Sequence, residues 1–376
     1  MNYSDRYSGC TWTGIPLLKN FMKDVFIKLG TPADQAEIVA EVLITADKKG
    51  IDSHGIGRFK PIYIDRIEQG TMNPVTVIDI VRETDTTAVI DGNNGLGHVI
   101  SKKAVEIAIE KARKHGTAMT VVRNSTHYGI AGYYTDICAG SDMIGITGTN
   151  ARPSIAPTFG VENMLGTNPL TIGLPTDEDF HFSLDCATSV AQRGKIEAYE
   201  RAGKRLPDGW VISEKGATMN DPAEVLTALT KGTAALTPLG GVGEDTAGYK
   251  GYGYATAVEI LSSALSNAKF MKDLNGIDSS GKKTPILLGH FFIAIDIKSF
   301  IDPSVFRKIA GTVLRELRNS KKAQGEERIY TAGEKEWLAW QYRKEHGIPV
   351  PPALMKQLSE MNMKYSLGYK FPWEGI

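Results

Sequence analysis

Between Thr86 and Arg123 the chain passes from a strand pattern through a glycine-rich turn into a helix and back to a strand, and this junction constrains the fold more than any other stretch. Thr86 to Asp91 reads as a strand; Ser101 stands where a helix cap would, helical spacing runs to Lys114, Gly116 stops it, and Met119 to Arg123 resumes as strand. A glycine turn between strand and helix is where a Rossmann unit holds its dinucleotide. Gly92-Asn93-Asn94-Gly95-Leu96-Gly97 has that context without the spacing, because the required glycines fall on Ile100 or on Asn94, depending on the starting point. The expectation is an α/β chain, mixed α+β in detail, with no Rossmann site.

The remaining pattern alternates without a repeat. A helix is expected from Thr31, with Thr31 as cap, Pro32 in the first turn and Ile38, Val39, Val42, Leu43 and Ala46 on one face, ending near Gly50. Met143 to Thr147, Phe180 to Asp185 and Leu287 to Ile297 look sheet-forming. Tyr252 to Leu265 and Val305 to Leu317 have helical spacing, the second opened by Asp302 and Pro303. Asp273 to Pro285 reads as a loop, and Val350-Pro351-Pro352 as a break. Both chain ends are thus mainly helical.

With 376 residues, 42% of them hydrophobic, the chain can bury a large core, and its length favours two domains. Lys+Arg and Asp+Glu both number 43, so there is no global basic field for nucleic acid or an anionic membrane. Cys10, Cys138 and Cys186 are too few and too scattered for a disulfide framework or a zinc cluster. No apolar run is long enough to span a bilayer and no leader pattern is present, so a cytoplasmic, reducing setting is expected.

Two segments carry proton-transfer chemistry: Asp52-Ser53-His54-Gly55-Ile56-Gly57-Arg58 and Asn124-Ser125-Thr126-His127-Tyr128-Gly129. In each a histidine, titrating near neutrality, lies among hydroxyls and glycines in a predicted loop. Arg58 adds a permanent planar cation suited to a carboxylate. Of the other histidines, His115 and His346 read as solvated and His98, His181 and His290 as structural. A second glycine-rich run, Gly240 to Gly253, places Lys250 near a helix start, where backbone N–H groups and one lysine suit a phosphate or ribose; a flexible surface loop explains it equally well. No histidine–cysteine ligand pair and no G-x-S-x-G elbow is present, so no metal is expected.

Taken together, D-S-H-G-I-G-R-F at Asp52, H-Y-G at His127, G-T-N-P-L at Gly166, D-C-A-T-S at Asp185, G-K at Gly194, L-P-D-G-W at Leu206, K-G-Y-G at Lys250 and Gly333-Glu334 resemble the malate/L-lactate dehydrogenase type 2 family, also called L-sulfolactate dehydrogenase-like. The resemblance covers most of the chain. It implies a non-Rossmann NAD(P)-dependent oxidoreductase, a homodimer, with a helical domain from residues 1–80 and 255–376, a central mixed-sheet domain from 81–254, and the active site between them.

By the same resemblance His127 is the leading acid/base, with Ser53 and His54 as a second proton relay. Arg58 would grip the substrate carboxylate, and Thr167 and Asn168 would line its pocket. His127, Tyr128, Gly129, Ile130, Ala131, Asp185, Cys186, Ala187, Lys250, Gly333 and Glu334 would contact the cofactor. Lys195 counts with the catalytic residues and points to a hydroxy acid, since relatives that reduce cyclic imines carry an acidic residue near this position. The implied reaction is hydride transfer between nicotinamide and an (S)-2-hydroxy acid, L-malate first, with NAD slightly preferred to NADP. Lactate, sulfolactate, ureidoglycolate, diketogulonate or a cyclic imino acid are alternative substrates, and a catalytically silent nucleotide-binding protein is the alternative of another class.

Overall fold

A computed structural model of the chain describes residues 7–374. Its centre is a seven-stranded mixed sheet, in the order Asp79–Glu83, Thr87–Asp91, Thr117–Ser125, Leu288–Asp296, Met143–Thr149, Leu170–Leu174 and Phe182–Cys186. Thr87–Asp91 and Thr117–Ser125 run parallel, joined by the helix Gly97–His115; every other neighbouring pair is antiparallel. Ser101, expected as the cap of this helix, lies inside it, and Gly116 ends it at φ +86°.

The turn before that helix has a use other than phosphate binding. Asn93 and Asn94 take positive φ, and a Cβ on Gly97 would stand 2.2 Å from the Thr126 carbonyl oxygen and 2.6 Å from that of His127. Only glycine lets the helix start lie directly against the loop that carries His127.

The helices Gly97–His115 and Gly132–Ala139 cover one sheet face, burying Ile100, Ala104, Ala108, Val122, Tyr134, Phe292 and Ala294 in one core. Gly248–Ser263 packs on the other face, where Val121, Phe291 and Val258 meet. Leu288–Asp296 departs from the expected boundaries, since residues 255–376 were assigned to the helical domain and this strand lies in mid-sheet. Its nearly unbroken apolar run suits a strand paired and covered on both sides.

A second core joins the two chain ends: Leu18, Phe21, Met22, Phe26, Val39 and Leu43 pack with Phe59, Tyr63, Leu358, Met361 and Phe371. The short antiparallel pair Thr11–Thr13 and Ile348–Val350 ties them further. The helix Ala33–Lys48 begins at Pro32, and Thr31 makes no side-chain cap. A third, smaller core, with Ile155, Leu165, Ile196, Val211, Val225 and Leu236, forms around the helices Arg193–Arg201 and Pro222–Lys231. Among the described residues no helix is long and apolar enough to cross a membrane.

Candidate active site

The first histidine segment is held from below by two buried groups. Asp47, in the last turn of Ala33–Lys48, accepts a hydrogen bond from Ile56 N–H at 2.8 Å. A Cβ on Gly55 would lie 1.9 Å from Asp47 Oδ1, so the loop closes over this carboxyl only because residue 55 is glycine. Burial pushes the Asp47 carboxyl up to about 8. Asp52 accepts from the buried guanidinium of Arg343 at 2.6 Å and from the Tyr7 hydroxyl at 2.8 Å. Residues from both chain ends therefore fix the loop.

On that support Ser53 Oγ lies 2.8 Å from His54 Nδ1, and Arg58 Nε donates to the Ser53 carbonyl at 2.7 Å. The terminal nitrogens of Arg58 have no protein partner among the described residues and remain available to an anion. The chain then makes a π-helical turn, Phe59–Ile64, which brings Tyr63 to the second histidine. Tyr63 Oη lies 2.5 Å from His127 Nδ1, and Gly129 N–H donates to the same nitrogen at 3.3 Å.

Two imidazoles far apart in the sequence thus converge. The His54 and His127 rings stack with centroids 5.8 Å apart and planes inclined by 21°. Burial holds both below the ordinary histidine range; the charges of His54, His98, Arg66 and Arg58 add to this at His127, and that of Arg58 at His54. Asp185 acts in the opposite sense on His54. The pair is neutral at rest and suited to holding one proton at a time.

Beside the histidines lies a cavity of about 280 Å³ lined by Ser53, His54, residues 129–132, Thr167, Asp185, Ala187 and Gln192. Gly132 N–H and Thr171 Oγ1 donate to Asp185 at 2.7 and 3.0 Å, which fastens the glycine loop to the sheet. A second cavity of about 170 Å³ shares Lys49, Ser183 and Glu336 with the first and adds Asp136, Asp179, Phe180, His181, Gly333, Trp337 and Trp340. The two cavities adjoin across these shared residues, the first glycine-lined at the imidazoles and the second aromatic. Close backbone at one end and flat side chains at the other are surfaces that suit a reactive ring and an aromatic base.

Ser53, His54, Arg58, His127, Gly129, Ile130, Ala131, Thr167, Asp185 and Ala187 gather at this end, and Gly333 lines the other. Others point elsewhere. Tyr128 is buried under the loop, its ring stacked 4.6 Å from His290. Cys186 sits half-buried with Sγ 3.8 Å from the Leu170 carbonyl oxygen. The Asn168 amide donates to Glu259 at 2.7 Å and to the Ala255 carbonyl at 3.0 Å and accepts from Ala151 N–H at 3.2 Å, so tertiary contacts occupy it fully.

Lys195 places Nζ 4.8 Å from the Trp210 ring, although a Cβ on its neighbour Gly194 would be 3.9 Å from both Arg58 and Ser53. Lys250 is exposed beside Tyr249 and lines neither cavity. The Glu334 carboxylate is buried, taking hydrogen bonds from Arg328 and from Thr331 N–H. His290 is bonded at both nitrogens, to Thr149 and Ser125 at 2.7 Å, and is structural.

Tyr63, Asp47, Lys49, Gln192 and Glu336 were not anticipated. Tyr63 carries the plainest signal, an aromatic hydroxyl shortly after Arg58, but the π-helical turn that aims it has no sequence periodicity.

A stacked imidazole pair, an unpaired guanidinium and a glycine-lined cleft beside a mixed sheet define a site for moving a proton on a small anion next to an elongated cofactor. The chain belongs to the malate/L-lactate dehydrogenase family, whose model matches residues 15–359. It is 43% identical over 344 residues to the malate dehydrogenase of Pyrococcus abyssi, covering 92% of each chain. With the L-sulfolactate dehydrogenase of Methanocaldococcus jannaschii the identity is 40%, covering 91% of this chain and 94% of that one. The crystal structure of malate dehydrogenase from Entamoeba histolytica superposes with a TM-score of 0.93 at 46% identity, covering 96% of this chain and 100% of that one.

Proposed function

We propose that the protein is a nicotinamide-dependent dehydrogenase of (S)-2-hydroxy acids that interconverts L-malate and oxaloacetate. The observation that carries this is the stacking of His127 on His54, with the unpaired Arg58 anchored on Ser53, beside a glycine-lined cleft that Ser53 and His54 line. Arg58 takes the carboxylate next to the reacting carbon through its free guanidinium edge. His127 exchanges the proton of the substrate oxygen at Nε2, because Nδ1 faces Tyr63. A tyrosine hydroxyl can donate to Nδ1 or accept from it, so Tyr63 keeps the ring oriented whether or not it carries the proton. Ser53 and His54 form the neighbouring relay.

When bound, the nicotinamide exchanges a hydride with the carbon that bears this oxygen. Residues 129–132, Asp185 and Ala187 would hold its near end, and Phe180 and Trp337, packed together in the second cavity, would lie beside the base. NAD is the better fit: Asp136, Asp179 and Glu336 line the far cavity against one cation, Lys49, which is itself paired with Asp136, and a ribose 2′-phosphate would meet net negative charge. Binding of an anionic acid beside the histidines favours their protonated form, which reduction of the oxo acid requires.

A homodimer is favoured by the apolar stripe Val305, Ile309, Val313 and Leu317 on the helix Pro303–Asn319, each 42% to 56% exposed. Three unpaired cysteines suit the reducing cytoplasm.

The deciding experiment is a panel of oxaloacetate, pyruvate and sulfopyruvate, each with NADH and with NADPH. Oxaloacetate with NADH should give the highest kcat/KM. No turnover with any combination would refute the reading.

A further inference from the structure

Two histidines are buried completely against the loop that carries His127, and they are held differently. His290 is bonded at both nitrogens, to Thr149 and Ser125. Neither nitrogen of His98 has a hydrogen-bond partner among the described residues. Buried polar atoms are nearly always paired, and one left alone is unfavourable, so an apolar side chain would serve a purely structural site better.

What surrounds His98 is the support of His127. It is the second residue of the helix Gly97–His115, whose start lies against the Thr126 and His127 carbonyls. Its ring centroid lies 4.8 Å from that of Tyr63, with the planes inclined by 50°. A Cβ on Gly129 would stand 3.1 Å from His98 Cδ2, 3.2 Å from its Nε2 and 2.7 Å from Val42 Cγ1. Gly129, at φ +82°, thus threads a slot between His98 and the helix Ala33–Lys48. Tyr63 Oη and Gly129 N–H are the two groups that meet His127 Nδ1. Both therefore rest on His98.

We infer that His98 is a positioning residue for proton transfer: its flat ring, packed against both Tyr63 and Gly129, fixes the two partners of His127 Nδ1 and so keeps Nε2 turned to the substrate. This rests on the dehydrogenase reading above, in which His127 exchanges the proton. A branched side chain of similar size cannot offer a flat face to both neighbours, and small displacements of a proton-transfer group are costly in rate.

The test is kcat and KM for oxaloacetate and NADH, with thermal unfolding in parallel, in the unaltered protein, His98→Leu, His98→Ala, His98→Gln, Tyr63→Phe and the Leu and Ala variants combined with Tyr63→Phe. Leucine fills the space without the unpaired nitrogens, so the unfolding midpoint should hold or rise while kcat falls by about 10- to 100-fold and KM for NADH stays within about twofold. His98→Ala, which cannot overpack, should show the same loss of kcat even if leucine fits poorly. Glutamine, whose flat amide reaches as far as the ring, should recover most of it. Because His98 acts on the same nitrogen as Tyr63, each double variant should lose little more than the worse of its two single variants. Unchanged kcat in both the Leu and Ala variants, or losses that multiply with that of Tyr63→Phe, would overturn the assignment and leave the dehydrogenase reading standing. No turnover of oxaloacetate by the unaltered protein, with NADH or with NADPH, would overturn the malate reading and this one with it.

Discussion

Replacing Tyr63 by Phe isolates the hydroxyl that faces His127. The ring keeps its neighbours, His98 at 4.8 Å and Phe26 at 6.4 Å between centroids, so packing is preserved. What disappears is the 2.5 Å contact to His127 Nδ1, which leaves this part-buried ring nitrogen with only the longer Gly129 N–H at 3.3 Å. A buried polar atom deprived of its partner costs about 1–3 kcal/mol. If that cost falls on the proton-transfer step, turnover should drop by about 10- to 100-fold, at roughly 1.4 kcal/mol per factor of ten.

The assay is steady-state oxidation of NADH by oxaloacetate, with thermal unfolding followed in parallel. KM for NADH should stay within about twofold, since the hydroxyl faces away from the cleft. Because Tyr63 acts through His127, adding the same change to His127→Asn should cost almost nothing more. A Tyr63→Phe protein with the turnover of the original, or full additivity in the double variant, would refute the positioning role.

Other outcomes follow from the same geometry. His127→Asn and His54→Asn should each lower kcat far more than they weaken NADH binding, and unaltered turnover in both would remove the histidines from the chemistry. Arg58→Lys keeps the charge but loses the planar fork, so KM for oxaloacetate should rise by about tenfold or more in initial-rate measurements. Asp47→Ala leaves Ile56 N–H unpaired beneath the loop and should reduce both stability, by about 2 kcal/mol, and activity, whereas Asp47→Asn, which can still accept that bond, should be milder in both. The His54–His127 pair is held below the usual histidine range and reduction needs its proton, so kcat/KM for oxaloacetate should fall as pH rises; a pH–rate profile rising with pH would contradict this. His98 and His290 are buried with folded values near 3, so the unfolded chain binds more protons below about 6.5. Their stability contribution is complete above that pH and is lost on acidification, by about 2 kcal/mol each at pH 5, which chemical denaturation at pH 7 and pH 5 would measure.

The strands and helices with clear periodicity were legible in the sequence. Pro303–Asn319 begins at the expected Asp302, whose side chain accepts from Ser304 N–H, and Gly116 ends its helix as expected. Ser53, His54, Arg58 and His127 could be singled out because the chemistry of a proton relay shows in the residue types. Their meeting could not be read locally, since it depends on the sheet, on Gly97 against the His127 loop, and on Arg343 reaching Asp52 from the far end of the chain. Asn168 and Glu334 show the opposite limit. Polar residues within functional motifs can be taken up entirely by tertiary hydrogen bonds, and nothing in the flanking sequence separates the two fates.

The strand Leu288–Asp296 separates Thr117–Ser125 from Met143–Thr149, although it follows both by well over a hundred residues. During synthesis the two earlier strands leave the ribosome with their inner edges unpaired and must wait for a partner made much later. Long-range pairing of this kind slows folding and exposes edges that invite aggregation. Nascent chains ending before residue 288 should therefore depend on chaperones.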